Sequence, residues 1–188
     1  MKMENSETQN EEQLIKKVHF SQQNKMLTMI VCIGLFIGFL LKMFVFEILT
    51  VSGESMSPSI QDGEKLFVNK LAYGIVKPYG EELLAQWKCP ERGDVVIYLY
   101  NNKIVVKRCV ATSGDELEVK GDSEYNYTLK TGDLTIGLSQ AQYLNLKDST
   151  SVPEGYILAI GDNYEVSVDS RSYGFVPAHN ILGKVLCK

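Results

Sequence analysis

A serine and a lysine are the side chains of this sequence whose types and surroundings could carry out a reaction. Ser55 lies in the segment GESMSP of residues 53–58, and Lys107 lies in the segment VVKR of residues 105–108. A hydroxyl is a poor nucleophile until a base removes its proton, and a lysine can be that base where burial lowers its pKa toward neutrality. The pair therefore predicts nucleophilic attack by Ser55 with Lys107 as general base, a chemistry that suggests a protease.

The loop around Ser55 favours this role. Gly53 relaxes the backbone and Pro58 stiffens it, so a serine between them can present its hydroxyl beside free backbone N–H groups. Such donors could form an oxyanion hole. Most serines in loops rich in glycine and proline are only turn residues, so the interpretation depends on the partner lysine.

The surroundings of Lys107 decide whether it can act as a base. On a β-strand the alternation of side chains places Lys107 on one face with Val105 and Cys109. Apolar neighbours favour the neutral amine that a general base needs. The alternative is a lysine on an edge strand, where the charge guards against aggregation and the amine stays protonated.

Composition excludes several other functions. The net charge is −4, and the basic residues are scattered rather than clustered, so nucleic acid is not an expected partner. The four cysteines show neither the spacing of a metal site nor that of a disulfide framework. We expect Cys109 to be a small buried apolar residue. A single bridge between Cys89 and Cys187 remains open.

An apolar stretch at residues 26–46 is long enough to cross a bilayer and predicts a transmembrane helix. Residues 1–25 are polar and lack an apolar period, which is typical of a disordered tail. Lysines just before the stretch predict, by the positive-inside rule, that this tail is cytoplasmic and that residues 47–188 form an extracytoplasmic domain. The alternative is a cleaved signal peptide, but the apolar core is longer than such leaders have, and cleavage near Gly53 would cut next to Ser55.

The part after residue 47 has the pattern of an all-β domain of antiparallel sheets. Alternating or continuous apolar runs predict strands at residues 65–69, 94–100, 103–110, 116–119 and 156–160. Asn101 and Asn102 join two of these runs as a hairpin, because Asn tolerates left-handed backbone geometry. Residues 81–87 predict a short helix. Residues of about 116–155 contain a polar stretch with glycines, from which we expect a small inserted subdomain.

Taken in order, these segments resemble the bacterial type I signal peptidases, membrane-anchored Ser/Lys proteases of the S26 type. The motifs that carry the resemblance are GESMSPS at 53–59, LAYGI at 71–75, RGDVV at 92–96, VKR at 106–108, GD at 114–115, GDN at 161–163, DSR at 169–171 and GFVP at 174–177. The resemblance runs from the apolar stretch to the C-terminus. It implies an antiparallel catalytic domain, a partly open barrel, behind one transmembrane helix.

The resemblance also implies a role for each residue of the site. Ser55 would be the nucleophile, its backbone N–H one oxyanion donor, and Lys107 the base. Ser167 would orient the lysine amine. Four further residues would support the strand ends that carry Lys107 and Ser167 through pairing of opposite charges: they are Arg108, Asp162, Asp169 and Arg171.

Some positions depart from the family's pattern. Some members supply a second oxyanion donor from a serine two positions before the nucleophile, where this chain has Gly53. Residues 111–113 (ATS) replace the usual Gly-x-Pro, residues 164–166 (YEV) replace a more polar Arg-Asp-Asn, and Ser59 replaces a threonine. We expect these departures to affect which substrates are accepted rather than whether hydrolysis occurs, because they lie in loops.

The implied substrates are the signal peptides of exported preproteins, cut after small residues at the outer face of the bacterial plasma membrane. Ser55 follows Phe46 by nine residues, at most about 30 Å of extended chain, which keeps the nucleophile near the bilayer. The reaction requires no metal or cofactor. The alternative function is a membrane-anchored assembly factor for exported subunits that keeps the fold without turnover.

Overall fold

The computed structural model describes residues 4–77, 82–122 and 126–187. The chain divides into two compact units, Met1–Met43 and Phe44–Lys188. The first unit consists of the N-terminal part of helix α1 (Glu4–Phe44). Within this helix, Asn24–Lys42 has a mean hydropathy of 2.0 and none of it is buried, so it is long and apolar enough to cross a membrane.

Helix α1 corrects one prediction. Residues 4–25, expected to be a disordered tail, continue the helix. Glutamate, glutamine and lysine are good helix formers, and extending an existing helix is easier than nucleating a new one. The polar segment therefore extends the apolar helix toward the N-terminus.

The second unit consists mainly of short strands joined by turns. The strands are β1 (Phe46–Thr50), β2 (Lys65–Asn69), β3 (Gly74–Val76), β4 (Leu83–Gln86), β5 (Val95–Tyr100), β6 (Lys103–Thr112), β7 (Glu118–Gly121), β8 (Tyr127–Thr131), β9 (Leu134–Leu138), β10 (Tyr156–Ile160), β11 (Val176–Pro177) and β12 (Ile181–Cys187). Two short helices accompany them, α2 (Gln140–Leu146) and α3 (Ser170–Tyr173).

A seven-stranded sheet in the order β1-β2-β12-β5-β6-β10-β11 forms the main layer, and the recorded pairings are antiparallel. A two-stranded sheet, β3-β4, and a three-stranded sheet, β7-β8-β9, accompany it. The predicted fold class, antiparallel sheets after one apolar helix, is confirmed. The two ends of the main sheet, β1 and β11, do not pair with each other, so the sheet is open.

Local predictions had mixed outcomes. The hairpin at Asn101–Asn102 is confirmed: these residues have φ of 50° and 59° and join β5 to β6. The helix predicted at residues 81–87 is wrong, since Leu83–Gln86 is a strand, and residue 81 lies outside the described residues. Pairing with β3 and burial of Leu83 against the core outweigh the local helical pattern.

Two of the core clusters lie on the strands that carry the candidate site. The strand periodicity expected for β6 is confirmed, because Cys109 packs with Val105 in one cluster while Val106 packs in another. Cys109 is fully buried, and burial raises the pKa of its thiol to about 12. Cys89 and Cys187 are exposed and free, so they form no bridge.

The segment in which we expected an inserted subdomain, about 116–155, contains β7, β8, β9 and helix α2. The helix begins with a capping box, in which Ser139 and Gln142 exchange side-chain and backbone hydrogen bonds. Its Leu146 packs against Leu129 and Ile136 of the three-stranded sheet. The apolar core of this segment also includes Leu158 of the main sheet.

Candidate active site

The loop that carries Ser55 connects β1 to β2 and is closed at its base by backbone hydrogen bonds. Val51 N–H donates to Glu64 O (2.8 Å), and Gly63 N–H donates to Val51 O (3.0 Å). Gly53 has φ of +103°, a conformation that glycine adopts at low cost, and its N–H donates to Asp62 Oδ1 at 2.7 Å. Met56 is buried beneath the loop. The loop is therefore fixed on both sides of the serine.

The structure brings Ser55 and Lys107 together. Lys107 Nζ lies 2.6 Å from Ser55 Oγ, although 52 residues separate them in the chain. Strand β6 lies between β5 and β10 in the main sheet. Lys107 is only 3% exposed, so the alternative of a solvated edge-strand lysine is wrong.

Burial has the predicted effect on the lysine. Desolvation is the largest influence and lowers the pKa of Lys107 below its ordinary value of 10.5. The carboxylates of Asp169 and Asp162 oppose this shift, and the guanidinium of Arg171 adds to it. The net result favours the neutral amine, which can accept the proton of the Ser55 hydroxyl.

The lowered pKa of Lys107 predicts how activity depends on pH. Below that pKa the amine is protonated and cannot act as a base, so the cleavage rate should rise with pH and level off below 10.5. A Lys107→Arg variant should be inactive throughout, because a guanidinium stays protonated. The measurement is kcat/KM of both proteins against pH. A wild-type kcat/KM that does not change over the pH range below 10.5 would contradict the role of Lys107 as base.

The segment after β10 holds the loop of Ser55 from the other side. Asn163 N–H donates to Ser55 O (3.1 Å), and Asn163 Nδ2 donates to Glu54 O (3.1 Å). Gly161 lies so close that a Cβ there would be 2.2 Å from Ser167 Oγ and 2.4 Å from Ser55 O. Only a glycine allows this approach.

Gly161 gives a test of that packing. In a Gly161→Ala variant the Cβ would overlap both Ser55 O and Ser167 Oγ, so the loops must separate and activity should fall at least tenfold. Gly137→Ala is the matched control, because a Cβ at Gly137 has open space around it and should leave activity unchanged. The comparison is of kcat for the two variants. Equal values would show that the close approach does not matter.

Arg108 and Asp162 form a bidentate ion pair beside the site. Arg108 Nε and Nη2 donate to Asp162 Oδ1 and Oδ2 at 2.8 and 2.6 Å, and Arg108 Nη1 donates to Gly93 O at 3.0 Å. Burial alone would raise the pKa of Asp162, but the hydrogen bonds from Arg108 and Ser59 outweigh it and hold that pKa below the usual range. The pair joins β6 to the segment after β10.

Asp169 and Arg171 form a second pair, which is fully buried. Arg171 Nε donates to Asp169 Oδ1 and Nη2 donates to Oδ2, both at 2.9 Å. Asp169 Oδ2 also accepts from Gly161 N–H at 3.0 Å. The guanidinium lies 5.6 Å from the ring centre of Tyr164, one of the positions that departs from the resemblance. The pair therefore fixes the segment that contacts Ser55.

The Ser167 hydroxyl and the Ser55 N–H make no hydrogen bond to any described residue. Ser167 is 5% exposed, and its Oγ lies beside Gly161. The N–H of Gly53, in contrast, is occupied by Asp62. Gly53 is therefore not favoured as a second oxyanion donor. The Ser55 N–H, in contrast, is free among the described residues to act as an oxyanion donor.

A cleft of about 290 Å³ leads to the pair of Ser55 and Lys107. Its walls come from the end of β1 and the residues after it on one side and from the start of β6 on the other. Besides the pair, it is lined by Leu49, Thr50, Val51, Ser52, Met56, Ile104, Val105 and Val106. Six of the ten lining residues are apolar, and Thr50 and Ser52 add hydroxyl groups to the polar side chains of Ser55 and Lys107.

Comparison with known proteins shows the family. The sequence matches the family described as "Signal peptidase, peptidase S26" over residues 23–188. The chain belongs to the S26 signal peptidases. Signal peptidase IB of Staphylococcus aureus is 34% identical over 171 residues, which cover 82% of this chain and 83% of that protein. Signal peptidase I of Bacillus caldolyticus is 33% identical over 160 residues, which cover 77% of this chain and 80% of that protein.

A solved structure is also similar. The crystal structure of a signal peptidase I from Enterococcus faecalis V583 is 25% identical, with a TM-score of 0.38, and the match covers 53% of this chain and 98% of that chain. The predicted membership among the S26 signal peptidases is confirmed by the family match and the curated relatives. Together with the apolar helix, it indicates a membrane-anchored serine endopeptidase.

Three residues that fix the geometry of this S26 signal peptidase had no role in the sequence analysis. They are Asp62, Gly161 and Asn163, each of which contacts the loop of Ser55. Asn163 and Gly161 occur in a motif that the sequence analysis quoted, but their contacts join segments more than 100 residues apart. In the sequence, Asp62 could be recognised only as an acidic residue that precedes a glycine in a turn.

Proposed function

We propose that this chain removes N-terminal signal peptides from exported preproteins by a Ser/Lys mechanism. The observation that carries the proposal is the 2.6 Å distance between Ser55 Oγ and the buried amine of Lys107, both of which line one cleft. The cleft suits small side chains of an extended peptide. The names of the relatives support the substrate class.

The first half of the reaction forms an acyl-enzyme. Neutral Lys107 takes the Ser55 proton as Ser55 Oγ bonds to the peptide carbonyl carbon, and the oxyanion accepts a hydrogen bond from the Ser55 N–H. The C–N bond then breaks, and the ammonium of Lys107 gives its proton to the leaving amine. The signal peptide stays attached to Ser55 as an ester, and the mature protein leaves with a free N-terminus.

The second half releases the signal peptide. Lys107, neutral again, takes a proton from a water molecule whose oxygen attacks the ester carbonyl. The C–O bond to Ser55 breaks, and Ser55 Oγ regains the proton from Lys107. The buried Ser167 hydroxyl is available to hold the lysine amine in line, because no described residue bonds it. Arg108, Asp162, Asp169 and Arg171 position the two segments and do not react.

We also propose that the N-terminus is cytoplasmic and the peptidase domain extracytoplasmic. Lys16, Lys17 and Lys25 precede the apolar span, which supports this orientation. A protease added to intact spheroplasts should then digest the domain but not a tag on the N-terminus. Digestion of the tag alone would reverse the orientation.

The experiment that tests the function is cleavage of purified preproteins by the full chain in detergent, with the cut located by mass spectrometry. We expect a single cut after a small residue at the end of the signal peptide. No cleavage across several preproteins would instead favour the non-catalytic assembly factor, which no observation supports at present.

A further inference from the structure

Two apolar side chains on the segment after β10 are exposed beside the candidate active site. We define the valine pair as Val166 and Val168, which are 56% and 60% exposed, whereas Ser167 between them is 5% exposed. Neighbouring side chains of an extended backbone point to opposite sides, so burial of Ser167 directs both valines outward. Isolated exposed apolar residues are common on proteins, and it is the position of this pair that suggests a role.

The valine pair lies close to Ser55. Ser167 Oγ is less than about 5 Å from Ser55 O, because a single Cβ added at Gly161 would overlap both atoms. Each valine is one residue from Ser167, which is about 3.8 Å between Cα atoms. The Cα atoms of the valine pair are therefore within about 11 Å of Ser55 O, a distance that three residues of an extended peptide span.

Hydrogen bonds fix the backbone around the valine pair. Ser167 N–H donates to Asn163 O at 3.0 Å, and Arg171 Nη2 donates to Ser167 O at 3.4 Å. Asp169, the residue after the pair, is fully buried. A surface held in this way loses little conformational freedom when a peptide binds, which is what a selective subsite needs.

A bound preprotein has a segment that could cover the valine pair. The residues that line the cleft come from 49–56 and 104–107, so the pair lies outside it. The proposed function places the small residues before the cut in the cleft. The polypeptide then continues past Ser55, whose loop is contacted on its other side by the segment that carries the pair. The residues after the cut are therefore the occupant that this position favours.

Charge near the valine pair restricts which side chains would be accepted there. The loop at 51–64 and the segment at 161–169 contain neither lysine nor arginine. Glu54 and Glu165 are exposed in these two stretches. An acidic side chain of the substrate would therefore approach like charges with no cation from either stretch to offset them.

From these observations we propose that the valine pair is a subsite for an apolar side chain among the first three residues after the cut. An acidic side chain is disfavoured at the same position. The inference rests on the proposed peptidase function and deepens it, because the start of the mature protein becomes part of the recognised sequence. Preproteins whose mature part begins with apolar residues are then the preferred substrates.

The test compares preproteins that differ only in the first three residues after the cut. Leucine, serine and aspartate are placed in turn at each position, and kcat/KM is measured with the full chain in detergent. At one position we expect kcat/KM to be about tenfold higher for leucine than for serine, as for a few methylene groups in an apolar site, and lowest for aspartate. Equal kcat/KM values at all three positions would overturn the subsite and leave the peptidase function intact.

Variants of the valine pair separate recognition from structure. Val166→Thr combined with Val168→Thr keeps the shape of both side chains and adds hydroxyl groups, so the ratio of kcat/KM for leucine over serine should fall to about one. A merely structural role would lower both values by the same factor, and an unchanged ratio would overturn the proposal. Ile75→Thr on β3, which is 39% exposed, is the matched control and should keep the wild-type ratio.

A second measurement does not need turnover. Preproteins with photoreactive benzoylphenylalanine at each of the three positions are bound to the Ser55→Ala variant, and the cross-linked residues are located by mass spectrometry. We expect labelling within residues 164–168 from at least one position. Cross-links that are absent, or confined to the residues of the cleft, would overturn the subsite. Cross-links at 164–168 without cleavage by the wild type would support the subsite and refute the proposed function alone.

Discussion

A Ser55→Ala variant should lose preprotein cleavage by a factor of about 10⁴ or more in kcat, and a Lys107→Ala variant should lose nearly as much. The reason is the 2.6 Å contact between Ser55 Oγ and Lys107 Nζ, in which neither group can act without the other. KM should change little, because the cleft walls remain intact. The measurement is single-turnover cleavage of a preprotein, with the products resolved by mass spectrometry.

The double variant provides the sharper test of the pair. Residues that act as one unit are not additive, so Ser55→Ala combined with Lys107→Ala should be no slower than either single variant. Ser57→Ala in the same loop and Lys103→Ala on the same strand are the controls and should retain full activity. Losses that multiply in the double variant would mean that Ser55 and Lys107 act in separate steps.

Much of the site could be predicted because its signals are local. The alternation along β6 placed Lys107 among apolar residues, and burial does lower its pKa. The asparagine pair marked the hairpin that precedes this strand. The loop of Ser55 could be predicted from its glycine and proline, whose backbone preferences do not depend on the rest of the fold.

What could not be predicted depends on contacts between distant parts of the chain. Asn163 binds the carbonyl of Glu54 across 109 residues, and no periodicity reports such a contact. The close approach at Gly161 becomes visible only when two loops are placed together. Residues 83–86 were misread as part of a helix because pairing with β3 and burial of Leu83 decide their conformation. Tertiary packing overrides a weak local preference at such places.

The two ion pairs near the candidate site lie at different depths. Arg108 pairs with Asp162 directly after Gly161, at a partly exposed level. The pair of Asp169 and Arg171 lies deeper, and Asp169 also accepts the N–H of Gly161. Because Gly161 and Asn163 contact the loop of Ser55, we propose that the deeper pair positions Ser55 through the backbone. Loss of the pair of Asp169 and Arg171 should therefore lower the free energy of unfolding more than it lowers the rate of cleavage.

The largest loss of stability should come from Asp169→Ala. Arg171 is 1% exposed, so the substitution leaves a buried guanidinium without its counter-charge, which costs about 3–5 kcal/mol of unfolding free energy. The same change removes the acceptor for Gly161 N–H. Denaturant unfolding of the full chain in detergent, followed by circular dichroism, measures the loss.

Two comparisons separate a buried charge from simple loss of packing. Glu82→Ala breaks the exposed pair with Lys77 and should not shift the unfolding midpoint. Asp169→Leu combined with Arg171→Met removes both charges, so it should be more stable than Asp169→Ala although it changes more atoms. If Asp169→Ala were as mild as the surface control, the pair would not hold the segment. If the double variant were the less stable one, the unpaired guanidinium would not be the cause of the loss, because both variants lack the acceptor for Gly161 N–H.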